Sequence, residues 1–407
     1  MYSAKIKTIL LATMATFLAG SLMVFPKESF EASIRGMTMW WEVVFPSLLP
    51  FFIVSELLIG FGVVTFIGAI LEPLMRPLFR VPGVGGFVWA MGLASGNPAG
   101  AKFTARLRQD GSVTQIEAER LVAFTNSSNP LFIFGAIAVG FFHNPALGIV
   151  LALAHYLGNL CVGLLFRFHG REEEALESTE IKKRISVREA LRMLHHERLK
   201  DGRPIGKLLG DAVQSSVKTL LMIGGFIILF SVLNQLLLLI GLTTILAGLI
   251  SILLTLFKLP SDLSIPFISG IFEITLGAKR TSEATNVTLL DQVIITSFFL
   301  AFSGFSIQAQ VASILAETDI RFRPFFIARL MHGFFAAVIA LLLFEPLYVN
   351  QQSGGEWGVI PVFLKEQTAT TFHPLWQWIT QYGSLFTLVM LIIFIFLFTK
   401  RSLRNSL

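Results

Sequence analysis

Two short polar stretches interrupt otherwise apolar segments of this 407-residue chain, and both carry residue types that can hold a small solute. Ser95-Gly96-Asn97-Pro98 ends a glycine-rich run and is followed by Lys102. Asn126-Ser127-Ser128-Asn129-Pro130 sits inside the apolar run 121–141. Pro130 has no N–H and clashes with the preceding turn, so a helix is expected to open there. A helix restarting after such a break points its free N–H groups and positive dipole end into the gap. Asn and Ser side chains add neutral donors and acceptors, a combination suited to carboxylates or a nucleobase. A single serine in a membrane helix is better read as glue between helices. Five consecutive polar or helix-breaking residues favour a cavity instead.

The second half of the chain offers a matching set. Ser269, Gly270, Glu273 and Thr275 fall in one apolar segment, and Ser303, Gly304, Ser306, Gln308 and Gln310 in the next. Glu273 stands out, because a carboxylate at membrane depth is costly and usually faces a pathway or a partner. Two roles stay open for it: holding a proton or sodium ion for coupling, or pairing with Lys102 or Arg280. Lys102 and Lys279 either draw an anion toward the site or snorkel to the headgroups. His155 and His332 have no carboxylate at ligand spacing and read as packing or gating residues; Glu42 and Glu56 are weaker site candidates. The one cysteine, Cys161, excludes disulfides and a cysteine-built metal site. No nucleotide loop, zinc-protease helix or nucleophile elbow occurs, so neither an enzyme nor a cofactor is expected, and transport would be secondary or facilitated.

Composition says what must position these residues. Hydrophobic residues make up 54% of the chain and charged residues only 14%, too few to cover a soluble domain of this size. Mean hydropathy is +0.71. Runs long enough to cross a bilayer are 6–25, 43–64, 121–141, 145–166, 213–240, 290–314, 325–347 and 380–399. The first is expected to be retained, with a cleaved signal peptide as the alternative. Residues 66–80, with two prolines, read as a short or interfacial helix, and the glycine-broken 83–101 as a re-entrant hairpin. Segments 242–258 and 263–279 repeat those two characters in the same order. The formal net charge of +6 reflects basic clusters beside hydrophobic runs, so lipid headgroups rather than nucleic acid are expected as the charged partner.

That order is the signature of an internal duplication. Gly100-Ala101-Lys102 recurs as Gly277-Ala278-Lys279, His155 falls on His332, and Asn126-Ser127-Ser128 falls on Ser303-Gly304-Phe305, all at an offset of 177. The expected organisation is an N-terminal helix and loop (1–39), a first repeat (40–168), a charged connector (169–208), a second repeat (209–347), an external loop (348–379) and a last span with a basic tail (380–407). Eleven basic residues in 167–207 place the connector in the cytoplasm. Each repeat then holds three full spans, an interfacial helix and a hairpin, and the odd span count makes the repeats inverted. Lys279 and Arg280 would face outward, a mismatch that an aqueous cavity at the hairpin mouth would relieve. Inverted repeats with broken helices bind their solute near the midplane.

Pro46-Ser47-Leu48-Leu49-Pro50-Phe51-Phe52, Ser95 through Lys102, the Asn126–Pro130 break and Gly270-Ile271-Phe272-Glu273-Ile274-Thr275 resemble the nucleoside-recognition (Gate) proteins of endospore-forming bacteria. The resemblance runs over nearly the whole chain. It implies an all-helical fold like the core of concentrative nucleoside transporters. It also implies carriage of dipicolinic acid, a small planar dianion, across the outer forespore membrane during sporulation. By position, the hairpin and break residues carry over as substrate contacts: Ser95, Gly96, Asn97, Lys102, Asn126, Ser127, Ser128, Asn129, Ser269, Gly270, Glu273, Thr275, Ser303, Ser306 and Gln308. A nucleoside or ion carrier of the same fold, and a non-transporting sporulation scaffold, are the competing readings. A homo-oligomer is left open.

The charge pattern makes a topological prediction. In a Cys161→Ala background, a membrane-impermeant thiol reagent applied to intact cells should fail to label Ser178→Cys in the connector and should label Ser353→Cys in the loop. Labelling at both sites, or only at the connector, would reverse the orientation.

Overall fold

The computed structural model describes residues 2–171 and 187–350. The expectations for 172–186 of the connector, for the loop from 351 to 379, and for the last span and tail lie outside the described residues. Every regular element among the described residues is helical.

Helix α1 (Tyr2–Val24) turns through 103° into α2 (Pro26–Met39), where Pro26 takes the first-turn position that needs no N–H. A π-type turn at Trp40–Val44 leads into α3 (Phe45–Gly60). Gly62 adopts φ 76°, which turns the chain by 83° into α4 (Val63–Phe79). Two helix–break–helix units follow. The first joins α5 (Val84–Ser95) to α6 (Ala99–Gln109), and the second joins α7 (Gln115–Thr125) to α8 (Leu131–Phe141), which is wound with the wider π repeat. Helix α9 (Leu147–Phe166) closes the half.

The second half repeats this order. After α10 (Val187–Asp201) come α11 (Ile205–Leu239), a left-handed turn at Gly241 (φ 77°), and α12 (Leu242–Leu256). The broken pairs are α13 (Ser264–Phe272) with α14 (Ile274–Ser282), and α15 (Leu289–Phe302) with α16 (Gly304–Leu315). Helix α17 (Phe322–Phe344) ends the half. Helices α7 and α15 both open with a reciprocal capping box, Thr114 with Glu117 and Thr288 with Asp291, which fixes where each starts.

Corresponding helices α9 and α17 lie side by side and run antiparallel. Asn144 Nδ2 donates to Tyr348 Oη (2.6 Å) at one end. At the other, the Glu119 carboxylate accepts from Arg321 Nε (2.6 Å) and meets His169 Nε2 at 2.7 Å. Midway, the rings of His155 and His332 stand 4.7 Å apart. Equivalent positions therefore meet where the two helices cross.

Each hairpin closes on glycines. A Cβ at Gly92 of α5 or Gly100 of α6 would strike the Thr125 carbonyl, so the end of α7 is wedged where the two arms approach. A Cβ at Gly277 of α14 would strike the backbone of Gly270 in α13. The arms run on to Gln109 and Ser282, past the expected ends at 101 and 279.

Among the described residues, four helices are long and apolar enough to cross a membrane, or up to six if each bent pair forms one span. One expected span is corrected: the run 43–64 is not one straight helix, because Gly62 bends the chain before α4. The run 121–141 breaks where expected, α7 ending at Thr125 and α8 starting at Leu131, because its polar centre and Pro130 cannot continue the ladder. On α12, Ile245, Leu249, Ile252 and Leu256 are exposed along one stripe, which suits lipid.

The glycine crossings predict a steep steric penalty. Gly277→Val should cost about 1–3 kcal/mol or more in overpacking, read as a lowered thermal unfolding temperature in detergent. Gly206→Ala, a position with open space around it, should be neutral. Equal tolerance at both would remove the close-approach argument.

Candidate functional site

The four breaks open onto one cavity of about 640 Å³. The first hairpin contributes Ser95, Gly96 and Asn97, and the break between α7 and α8 contributes Ser128 and Asn129. From the second half come Glu273 and Thr275 at the hairpin tip, with Ser306 and Gln310 on α16. The apolar walls include Leu48 of α3, Ile223 and Ile227 of α11, and Phe132 of α8.

The first turns of α8, α14 and α16 line this space, and α6 begins two residues after Asn97. Four helix N-termini therefore gather around one volume, and their free N–H groups are suited to hydrogen-bond-accepting groups of a solute. One N-terminus is already neutralised: the Glu273 carboxylate accepts from Thr275 N–H (3.1 Å) and Leu276 N–H (2.8 Å) and so caps α14. Asn129 fixes another. Its Oδ1 accepts from Phe132 N–H (2.8 Å) at the start of α8, and its Nδ2 donates to the Ser95 carbonyl (3.1 Å) at the end of α5. A single side chain thus joins the two breaks of the first half.

Other polar atoms at the cavity have no partner in the protein. Ser95 Oγ, both side-chain polar atoms of Asn97, and Ser128 Oγ are buried without a hydrogen bond. An unmade hydrogen bond on a buried group costs about 1–3 kcal/mol, so these atoms are sites for a bound solute or water.

Helix ends facing away from the cavity are satisfied by a separate buried network. Arg329 of α17 is fully buried. Its Nη1 donates to the Asn126 carbonyl (2.6 Å), and its Nη2 donates to the Ala123 carbonyl and to Asn159 Oδ1 (3.2 Å). Asn159 Nδ2 donates to the Phe124 carbonyl (2.5 Å). Ser128 N–H donates to His155 Nε2 (3.0 Å), and Tyr156 Oη donates to the Ser128 carbonyl (3.1 Å). A cation at the carbonyl end of α7 also complements its dipole.

Of the residues expected at the site, Ser95, Gly96, Asn97, Ser128, Asn129, Glu273, Thr275 and Ser306 line the cavity. Asn126 and Ser127 are buried just beyond it, with side-chain atoms unpartnered but outside the lining. Ser269 accepts from Arg280 Nη1 (2.8 Å), and Gly270 forms the second hairpin's crossing. Ser303 takes a left-handed conformation at the break, and Gln308 Nε2 caps the Phe302 carbonyl (3.0 Å). These four support the breaks rather than line the cavity.

Lys102 lies outside the central lining. It lies 3.4 Å from Glu56 in a second cavity, because six residues separate it from the last serine of the tip and carry it down α6. The pairing of Glu273 with Lys102 or Arg280 is likewise absent among the described contacts; its carboxylate serves a helix end. Sequence reasoning passed over Arg329 and Asn159. An arginine just inside an apolar run, and an asparagine in the middle of another, were the available signals.

Comparison with known proteins places this geometry. The family model described as Gate, nucleoside recognition, matches residues 41–158 and 220–321, one segment in each half. The sporulation integral membrane protein YlbJ of Bacillus subtilis (strain 168) is 59% identical over 401 residues, covering 98% of this chain and 97% of the relative. A solved structure of a CNTnw variant in an outward-facing state aligns over 84% of this chain and 85% of that one, with 15% identity and a TM-score of 0.41.

The buried network predicts a loss of stability. Arg329→Met strips four acceptors of their donor, the carbonyls of Ala123 and Asn126, Asn159 Oδ1 and His332 Nδ1, and a buried acceptor left unsatisfied costs about 1–3 kcal/mol. The variant should unfold at a much lower temperature in detergent. Asn97→Ala, which removes no hydrogen bond, should unfold with the wild type.

Proposed function

The chain is a multi-pass integral membrane protein of the nucleoside-recognition (Gate) family, and on that premise we propose that it carries a small polar solute through the central cavity. Membership in the family also links it to sporulation through its YlbJ relative. The observation that carries the proposal is the unpartnered set on Ser95, Asn97 and Ser128, three residues of the wall where four helix N-termini meet. A scaffold has no use for buried hydrogen-bonding groups left unmade. A carrier does, because its ligand must be able to leave.

The finer reading is dipicolinate moved across the outer forespore membrane, in the direction of the developing spore. A planar dicarboxylate matches helix N-termini and neutral amide and hydroxyl donors, and its ring matches the apolar walls of Leu48, Phe132, Ile223 and Ile227. The two halves would sit in opposite senses across the bilayer, which the antiparallel contact of α9 and α17 supports.

One observation favours a second ligand. Among the described residues the lining holds Glu42 and Glu273 and no Lys, Arg or His. An uncharged nucleoside would meet no repulsion there, whereas a dianion relies on helix termini alone.

Uptake into proteoliposomes containing the purified chain separates these readings. Dipicolinate should accumulate and uridine should not. Asn97→Ala should weaken the apparent affinity by about five- to tenfold, the worth of one hydrogen bond, at unchanged protein level. Uptake of uridine alone would select the nucleoside reading, and uptake of neither would leave only the scaffold.

A further inference from the structure

A second cavity of about 450 Å³ lies at the other end of the same column. It is bounded by Glu56 of α3, Lys102 and Arg106 of α6, Lys218 and Met222 of α11, and Ile314 of α16. The central cavity uses the same four walls one or two turns away: Leu48 of α3, Asn97 of the first hairpin, Ile223 of α11 and Gln310 of α16. Leu48 and Glu56 are eight residues apart on one helix, about 12 Å of rise. Between the two levels, Phe52 and Val311 are fully buried and close the column. The lower cavity reaches Arg203 and Leu208, where the chain leaves the connector. The two cavities are therefore opposite ends of one interrupted route.

The lower cavity differs from the central one in charge. Four cationic side chains line it, Lys102, Arg106, Arg203 and Lys218, against three acids, Glu56, Asp211 and Glu317. Arg203 is held by Asp211 (2.8 Å) and Arg106 by Asp110 (3.3 Å). Lys102 is held less firmly. Its Nζ is buried 4.6 Å over the Phe52 ring, with Glu56 Oε1 at 3.4 Å and no well-formed hydrogen bond. Glu56 Oε1 also accepts from Ser215 Oγ (3.1 Å), so it has a second partner if the lysine leaves. A buried ammonium with three donors, one carboxylate at ion-pair distance and no hydrogen bond has donor capacity left for an anion.

We propose that this lower cavity is a second solute site for carboxylates, where Lys102 exchanges Glu56 for the carboxylate of the passing solute. The inference rests on the transporter reading and deepens it. Lys102 sits against the plug residue Phe52, so its exchange of partners occurs at the point where the route is closed. The central cavity receives the solute through neutral groups and helix ends, and the lower one hands it on through a charge.

The test uses right-side-out and inside-out proteoliposomes of the full chain in neutral phosphatidylcholine, with dipicolinate as probe. Lys102→Met should raise the half-saturating concentration on the connector-bearing side by about tenfold, the worth of one charge-assisted hydrogen bond. On the other side it should change little. Glu56→Gln should do the reverse, tightening the connector-side affinity and slowing turnover. A charge swap, Lys102→Glu with Glu56→Lys, guards against a folding defect: it should restore thermal stability and leave connector-side affinity weak. If the swap restores both, the pair is structural and the proposal fails. It fails too if Lys102→Met acts equally on both sides, or acts only when anionic phosphatidylglycerol is present, which would assign the cavity to lipid headgroups. Loss of uptake in Asn97→Ala with no effect at Lys102 would sink this inference and keep the transporter reading. Absence of uptake by the wild type would sink both.

Discussion

A helix that stops inside a bilayer exposes carbonyls that neither water nor lipid can satisfy, and that constraint organises this molecule. Helix α7 stops at Thr125, which is fully buried. Its last carbonyls are taken by Arg329 and Asn159, reached from α17 and α9. Because those donors lie behind the break, the front of the break is free to face the cavity. The same division recurs in the second half on a smaller scale, with Gln308 capping α15 and leaving Ser306 to the cavity. Donors on one side hold the ends; on the other, polar atoms are left without a partner in the protein.

Much of this arrangement was readable from the chain. The 177-residue offset placed the breaks at Asn126 and Ser303, and both helices stop there. Pro130 and the glycine runs announced where regular backbone would fail. What the pattern could not give was direction. Ser95, Asn97 and Lys102 lie within two turns, yet the first two face one cavity and the third another. Apolar periodicity gives no phase inside a segment that is buried on every side. Glu273 was singled out correctly as unusual, but nothing in sequence tells a helix cap from an ion pair, since the partner is its own backbone two and three residues on. Arg329 was hidden by its neighbours, an apolar run that reads as a plain membrane span.

The two cavities also differ in chemistry. The upper one is lined by helix ends, amides and hydroxyls with two carboxylates, Glu42 and Glu273, and the lower one by four cationic and three acidic side chains. Dipoles fixed by the backbone need no reorganisation when a solute arrives. Side-chain charges can change partners, at the expense of desolvating each in turn.

The reach of Arg329 has a consequence in time. Its acceptor at Asn126 lies 203 residues earlier in the chain. At ribosomal speeds of 5–20 residues per second, roughly 10–40 s separate the synthesis of the acceptor from that of its donor. During that interval the end of α7 has Asn159 for its Phe124 carbonyl but lacks the donor to its Ala123 and Asn126 carbonyls. A duplicated architecture of this kind cannot ripen one copy at a time; the earlier copy is finished by the later one.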